Sequence, residues 1–423
     1  MLTFYRLIAG PALRLAHRLL AVFNGKARRG LAGRRRWREQ LAGLQPRVPG
    51  QTRVHVHVAS VGEFEGAKPI IERLREQVPY LLVTASFFSP SGYEQQSGWK
   101  GLDAACYLPE DRTVEMRAFL DRLDPDLLLL IRYDLWPELL RAAHGRGVPT
   151  VLACGVLHAR SVRLRWPLRS FFRSLYGLLD GAWTVRAEDR ESITRLAPTV
   201  PSIAVGDTRY DRVLARAAEA VDLQFGEVLH SGGEPVLVAG STWGPDEEML
   251  SAIRTIYPAL RLVVVPHEPS REHVGALQER FPDAVTLSQL DAGVTFPSGA
   301  VLIVDRTGLL SALYRLGDIA WVGGGWGAGV HSVLEPAAYN LPVLTGPHIE
   351  RSPDAVSLHR NGGLRVVHDA AEARAVASEL RERPEEWRRR GEIAGALVRE
   401  GEGATERIVA GLLRLLASRS GSS

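Results

Sequence analysis

Glu63 is the side chain best placed by its neighbours to do chemistry. It closes the stretch His57-Val58-Ala59-Ser60-Val61-Gly62-Glu63. Val54 to Val58 alternates apolar side chains with His55 and His57, which is a strand pattern, and from Phe64 the residues Ala67, Ile71 and Leu74 follow helical spacing. Ser60 and Gly62 make the turn between the two. Glu63 is therefore expected at the carboxyl end of a strand, where open α/β sheets hold their ligands. A carboxylate facing a cleft there can take a proton as a general base. The competing reading is an acidic residue favoured in a helix's first turn by the helix dipole. His55 and His57 share a strand face, but two ligands make an incomplete metal site, and the sequence holds no fuller metal-ligand constellation.

A second set of chemical turns lies in the other half of the chain. Ala239-Gly240-Ser241-Thr242 closes an apolar run, and Pro245 with Asp246, Glu247 and Glu248 opens a helix behind it. Hydroxyls and N–H groups at such a turn suit a phosphate or carboxylate. Val265-Pro266-His267-Glu268-Pro269 closes the next run, and the glycine-rich stretch from Gly323 to Gly329 closes a later one. Glycines there let backbone N–H groups approach an anion. The spacing is not that of a dinucleotide fingerprint, and there is no P-loop. Glu335 follows at the start of the next helix, where a carboxylate can accept both hydroxyls of a ribose or, alternatively, serve only as a helix-start charge.

The elements that must position these residues follow from length and pattern. At 423 residues the chain is too long for one ordinary core. Its 45% hydrophobic and 24% charged content is that of a globular protein and excludes disorder over most of the length. Seven short apolar runs fall at 54–60, 80–86, 104–108, 126–132, 150–155, 182–186 and 203–206, and seven more at 235–240, 260–266, 285–287, 300–304, 319–323, 342–345 and 364–367. Amphipathic stretches separate them. Strands alternating with helices imply parallel sheets covered on both faces, hence an α/β fold of two Rossmann-like domains. The break is expected near 218–234, giving an N-terminal segment 1–45, a first domain 46–220 and a second domain 221–423 whose final helix can cross back to the first.

The N-terminal segment joins an apolar stretch, interrupted by Arg6, Arg14, His17 and Arg18, to a cluster of Lys26, Arg28, Arg29, Arg34, Arg35, Arg36 and Arg38. The interruptions argue against a clean membrane span, and no small-residue cleavage site marks a signal peptide. The pattern fits a helix lying on an anionic membrane surface. A nucleic-acid arm leaves the apolar residues without a purpose, and a helix packed on its own domain is the third option. Cys106 and Cys154 are the only cysteines, both in apolar stretches, which fits a reducing compartment and excludes a disulfide framework.

Taken together, these segments resemble the 3-deoxy-D-manno-octulosonic acid (Kdo) transferases of lipopolysaccharide assembly. The resemblance is carried by the His57–Glu63 stretch, Leu82-Val83-Thr84, Ser89-Pro90-Ser91-Gly92-Tyr93-Glu94, Asp134-Leu135-Trp136-Pro137, the run from Val205 to Asp211, Ala239–Thr242 and Leu334-Glu335-Pro336. It implies the glycosyltransferase B fold, with two facing Rossmann-like domains, and transfer of Kdo from CMP-Kdo to lipid IVA, the lipid A precursor, with inversion. CMP-Kdo is then the donor substrate and no cofactor is needed; the partners are lipid IVA and an anionic membrane surface, not nucleic acid, at the cytoplasmic face of the bacterial inner membrane. Glu63 matches the family's catalytic glutamate. Ser60, Gly62, Thr84, Ser91, Arg132 and Asp134 fall at acceptor- or sugar-binding positions. Ser241, Thr242, Pro266, His267, Gly308, Gly324, Gly325, Ser332 and Glu335 fall at donor-binding positions. The chain departs from the family at Pro266-His267-Glu268, where many members carry Pro-Arg-His, at Ser332 in place of an asparagine, at Arg132 in place of an acid, and after Asp305, where the family's Gly-Glu-Leu stretch is Gly308-Leu309-Leu310, without the glutamate. Two readings compete: a UDP-sugar transferase of the same fold, separable by CMP against UDP binding, and a non-catalytic membrane-attached module, in which Glu63 is dispensable.

Overall fold

The computed structural model describes residues 2–219, 229, 233–297, 299–327 and 329–420. The chain divides into two compact units, Met1–Arg212 with Glu402–Ser423, and Val213–Gly401. The domain boundary expected at 220/221 lies outside the described residues, and the division by contacts falls earlier, inside the helix Thr208–Ala218.

The first unit holds strands β1 (Thr52–Val58), β2 (Leu81–Phe87), β3 (Ala104–Tyr107), β4 (Leu127–Ile131), β5 (Thr150–Gly155), β6 (Gly181–Thr184) and β7 (Ser202–Ala204). They form one parallel sheet in the order β3-β2-β1-β4-β5-β6-β7. The strands are apolar on both sides because both faces are covered. Val54, Val56, Val58, Leu127, Leu129 and Ile131 pack in one buried cluster with Phe64 and Ile71 of the helix Val61–Gln77. Leu128, Leu130, Leu82 and Leu152 pack in the other cluster, with Phe119 and Trp37. The last helix, Ala404–Ser420, belongs to this unit, burying Ile408, Val409 and Leu412 in the first cluster. Each such side chain contributes roughly 1.5–3 kcal/mol on burial. Asp211 fastens the helix start by accepting from the N–H groups of Gly403 and Thr405, at 2.6 Å each.

The N-terminal helices dock on this unit. Tyr5 donates its hydroxyl to buried Asp111 at 2.7 Å, and Arg6 forks onto Glu138 at 2.7 and 2.9 Å. Trp37, Leu41 and Leu44 are buried in the second cluster, so the end of the 1–45 segment is core and not surface. The other side of the helix Gly10–Phe23 leaves Leu15, Leu19 and Phe23 exposed, Phe23 at 90%. No helix among the described residues is long and apolar enough to cross a membrane.

The second unit holds β8 (Val236–Thr242), β9 (Arg261–Pro266), β10 (Val285–Thr286), β11 (Val301–Ile303), β12 (Ile319–Val322), β13 (Val343–Thr345) and β14 (Leu364–Val366). Its parallel sheet runs β10-β11-β9-β8-β12-β13-β14. In both sheets the chain builds outward from its first strand and then returns to lay a later strand on that strand's other side: β4 beside β1, and β12 beside β8. Those two places are the topological switch points, where adjoining loops diverge and leave a crevice for a ligand.

Candidate active site

At the switch point of the first unit, β1 and β4 deliver His57, Glu63, Arg132 and Asp134 to one place. Ser60 caps the helix Val61–Gln77, its hydroxyl accepting from the Glu63 N–H at 3.4 Å. Glu63 reaches back, and its Oε2 accepts from the Ala59 N–H at 2.5 Å. The helix-start reading of Glu63 is therefore partly right, since the carboxylate also satisfies a backbone donor. Its Oε1 accepts no hydrogen bond among the described residues. Glu63 is only 4% exposed. Burial pushes its carboxyl above the ordinary glutamate value, and the charge of Asp134 adds to this; the Ala59 N–H and the charges of His57 and Arg132 oppose it without cancelling it.

His57, fully buried on β1, joins two strands. Its Nδ1 lies 2.9 Å from the Ser86 hydroxyl on β2 and its Nε2 2.9 Å from Asp134 Oδ2 beyond β4. Trp136 donates its Nε1 to the same carboxylate at 3.1 Å. Burial alone would raise the Asp134 carboxyl, but the bonds from His57 and Trp136 and the charges of His57 and Arg163 outweigh it and hold the group below its ordinary value. Arg132 sits at φ +68, a left-handed conformation that is strained for a side chain of this size. It donates to Asp207 at 2.7 Å, and Arg209 joins it on the same oxygen at 2.8 Å. Ser91 is in the first turn of the helix Pro90–Gln96, whose cap Ser89 lies 3.4 Å from its hydroxyl. Gly92 of that helix packs closely, since a Cβ on it would stand 3.0 Å from the Ser89 hydroxyl and 3.1 Å from the Phe87 ring. Gly62 faces open space. Thr84 is different. It is buried on β2 with its hydroxyl 2.8 Å from His55 Nδ1, so it supports that histidine and does not face a ligand. Burial and the neighbouring His57 push His55 down to about 3, which makes it a neutral core residue.

The switch point of the second unit is built from backbone and rings. Ser241 adopts φ +54, and Gly323 is glycine because a Cβ on it would stand 2.2 Å from the Ser241 carbonyl oxygen. Gly325 meets Gly346 in the same way, at 2.5 Å. These glycines thus allow loop to pack on loop, a need the sequence reading did not consider. The Gly324 N–H is already donated, at 3.1 Å, to Asp246, which also accepts from Trp321 Nε1 at 3.1 Å and the Trp243 N–H at 3.0 Å. Thr242 donates to Glu247 at 3.0 Å and His273 closes on the same oxygen at 2.7 Å. Pro266 ends β9, and the His267 N–H donates to the Thr242 carbonyl at 3.1 Å. His267 is stacked between Trp243, at 4.8 Å, and His331, at 4.5 Å. Ser332 is exposed beside His331. Glu335 stands in the first turn of the short helix Leu334–Ala338, and Arg216 lies 3.7 Å from its carboxylate. Gly308, at φ +93, is in a separate turn between β11 and the helix Leu310–Tyr314.

Residues 35–212, which carry the whole first switch point, match the sequence model of the family described as 3-deoxy-D-manno-octulosonic-acid transferase (kdotransferase). The chain is 29% identical over 374 residues to the 3-deoxy-D-manno-octulosonic acid transferase of Haemophilus influenzae, covering 84% of this chain and 85% of that one. It is 28% identical over 382 residues to the enzyme of that name from Bordetella pertussis, covering 86% and 88%. The chain is thus similar to Kdo transferases over most of its length, and residues 35–212 carry that family's sequence pattern. Among solved structures, UDP-GlcNAc 2-epimerase from Neisseria meningitidis superposes with a TM-score of 0.59 at 15% identity, covering 86% of this chain and 100% of that one. MurG from Acinetobacter baumannii superposes with a TM-score of 0.55 at 11% identity, covering 86% and 99%. At these identities the likeness concerns fold alone, and it is glycosyltransferase B-like.

At this site, sequence reasoning missed Ser86 and Asp207. Ser86 is one residue among many hydroxyls, and only the register of β1 against β2 sets it opposite His57. Asp207 lies in a run quoted for the family resemblance, yet nothing local says that it will hold Arg132, 75 residues away.

Proposed function

We propose that this glycosyltransferase moves Kdo from CMP-Kdo to a hydroxyl of lipid IVA with inversion at the anomeric carbon. The observation that supports it most is Glu63: a buried carboxylate with one oxygen held by Ala59 and the other open, beside the Asp134–His57 pair. On this reading the acceptor oxygen attacks the anomeric carbon while its proton passes to Glu63 Oε1. The bond to the phosphate oxygen breaks, and CMP leaves with that electron pair. A carboxyl held above its ordinary value is the better base once ionised. Asp134, held ionised, orients His57; Arg132, aimed by Asp207, faces the anionic Kdo or acceptor. Ser60, Gly62 and Ser91 border the acceptor sugar.

The second unit then holds CMP, with Ser241, Thr242 and the loop at Gly324 and Gly325 near the phosphate and Glu335 on the ribose after release from Arg216. His267, with Pro266 behind it, stands where many relatives have arginine. On this reading the first unit serves the acceptor and the second the donor. No cofactor takes part. The deciding assay is incubation with CMP-Kdo and lipid IVA followed by mass spectrometry of the lipid. Lipid mass increasing by Kdo units is the expected result; transfer from a UDP-sugar instead, with UDP and not CMP bound, would overturn the reading.

We further place the protein on the cytoplasmic face of the inner membrane. Leu7, Leu15, Leu19 and Phe23 are exposed on the N-terminal helices, with Lys26, Arg28 and Arg29 following them. Apolar insertion and attraction to anionic headgroups act together there. Changing these four apolar residues to Ser is expected to shift the protein into the soluble fraction after lysis. Full retention on membranes would move the contact elsewhere.

A further inference from the structure

The first turns of the helix that carries Glu63 are poorly suited to hold themselves. Val61 to Pro69 includes Gly62, Gly66 and Pro69, and glycine and proline are the two residue types with the lowest helix propensity. Pro69 lies inside the helix Val61–Gln77 and has no N–H to give to the Glu65 carbonyl one turn back. The ladder is therefore interrupted between the turns bearing Glu63 and the rest. Beyond the break, Ile70, Ile71 and Leu74 are fully buried in the first cluster. Before it, Phe64 and Ala67 are buried too, but apolar contact is non-directional and does not by itself fix where a carboxylate points.

The directional contacts come from the run Val205–Asp211 and the residue after it. Thr208, fully buried, donates its hydroxyl to the Gly66 carbonyl at 2.5 Å. Gly66 is glycine at a close approach, since a Cβ there would stand 3.3 Å from that hydroxyl. Arg212, one turn further along the helix Thr208–Ala218, spans the break: it lies 3.7 Å from Glu65 before Pro69 and 3.5 Å from Glu72 after it. The start of that helix is itself fixed by Asp211 on the N–H groups of Gly403 and Thr405. Asp207, the residue before Thr208, aims Arg132. Two neighbouring residues thus set two groups of the first switch point, Asp207 the cation and Thr208 the turn of the carboxylate.

We propose that Thr208 is a positioning residue for the proton transfer, holding the turn from which Glu63 presents its carboxylate. The inference rests on the reading of Glu63 as the base and adds what keeps that base in place. Arg212 supports the same turn, but partly exposed ion pairs of this length contribute little, so the buried hydroxyl is the main brace.

The test compares Thr208→Val, which keeps the shape and loses the hydroxyl, with Thr208→Ser, which keeps the hydroxyl, and with Gly66→Ala, which crowds the contact from the other side. Thr255→Val, removing an exposed hydroxyl that donates within its own helix, is the control. On the full chain, hydrogen–deuterium exchange of the 61–68 amides is expected to quicken in Thr208→Val and to match the unaltered protein in Thr208→Ser and Thr255→Val. With CMP-Kdo and lipid IVA, kcat should fall by about ten- to a hundredfold in Thr208→Val, since a misplacement of about 1 Å can cost 10². KM for CMP-Kdo should stay unchanged, and Thr208→Ser should restore kcat. The acid limb of kcat/KM should also move to higher pH, because the Ala59 N–H bond that lowers the Glu63 value loosens while His57, Asp134 and Arg132 stay in place. In Gly66→Ala, alanine favours a helix over glycine, so a lower kcat with an undiminished Tm is expected. Wild-type kcat in Thr208→Val, or an equal loss in Thr208→Ser, would overturn the proposal. So would quickened exchange without a change in kcat, since the hydroxyl would then brace the helix and not the reaction. Should Thr208→Val fail to fold, Gly66→Ala decides, and a kcat within twofold of wild type overturns the proposal. If the unaltered protein transfers no Kdo, the reaction reading fails, and the exchange comparison decides the brace by itself.

Discussion

The two switch points share a topology and differ in what they bury. In the first unit Glu63, His57 and Asp207 are ionisable groups buried close to one another, with Arg132 and Asp134 at the edge, and the Glu63 carboxyl is displaced upward. In the second unit the buried carboxylates, Asp246 and Glu247, are turned to the protein: one accepts from three N–H groups and the other is closed by Thr242 and His273. What faces outward there is hydroxyl, glycine backbone and a stack of rings. A site with displaced, partly unsatisfied charge is equipped to move a proton; a site whose charges are spent on holding loops is equipped to bind. On the proposed reading, that difference divides base and donor-holding roles between the units.

The sharpest way to break that division is Glu63→Gln, which keeps size and polarity and cannot take a proton. Kdo transfer is expected to fall by about 10²–10⁴, with CMP affinity unchanged because CMP is assigned to the other unit. Activity within a fewfold of wild type, with CMP bound normally, would remove Glu63 and make Asp134 the next carboxylate to examine. The complementary change is Glu335→Ala, expected to weaken CMP binding by about 1.5–3 kcal/mol by calorimetry. Unchanged affinity would take Glu335 out of the donor site.

Gly325→Ala tests whether loop packing sets the second site. Its new Cβ would lie 2.5 Å from Gly346, so the loops must separate, at a cost of about 1–3 kcal/mol for overpacking. Chemical denaturation should show loss in the second unit, together with weaker CMP binding; a stable variant with normal CMP affinity would mean the loops tolerate separation.

The smallest effect concerns pH. A protonated Glu63 is inactive as a base, and its raised value means protonation begins at higher pH than for an ordinary glutamate. The acid limb of kcat/KM should therefore lie above the ordinary glutamate value of about 4.5. The same displacement favours folding at low pH, where the group is protonated in the folded protein, and that contribution is lost as pH rises through the folded value. Glu63→Gln should thus raise Tm at pH 8 and leave it nearly unchanged at pH 4. A limb at the ordinary glutamate position, or a Tm difference that grows on acidification, contradicts the environment described for Glu63.

Much of this was legible in one dimension. Each of the apolar runs read from the sequence overlaps a strand, because parallel strands covered on both faces are continuous in apolar residues and turn residues punctuate them. Glu63 could be placed at a strand end for the same reason: Ser60, Gly62 and the change from alternating to helical spacing are local signals. Distant pairings were not legible. His57 meets Asp134 only because β4 returns to the free side of β1, and Ser86 meets His57 only through the β1–β2 register. Gly323 and Gly325 looked like ligand-approach glycines, yet what requires them is the backbone of Ser241 and Gly346, which no neighbouring residue announces. Thr84 carries a family match and is buried beside His55, because β2 is covered on both faces and its register sets Thr84 opposite His55. Local spacing determined which residues end strands and begin helices, since backbone preference and burial act over a few residues. The tertiary structure alone decided which ends meet, since strand order and close packing join residues that the chain keeps far apart.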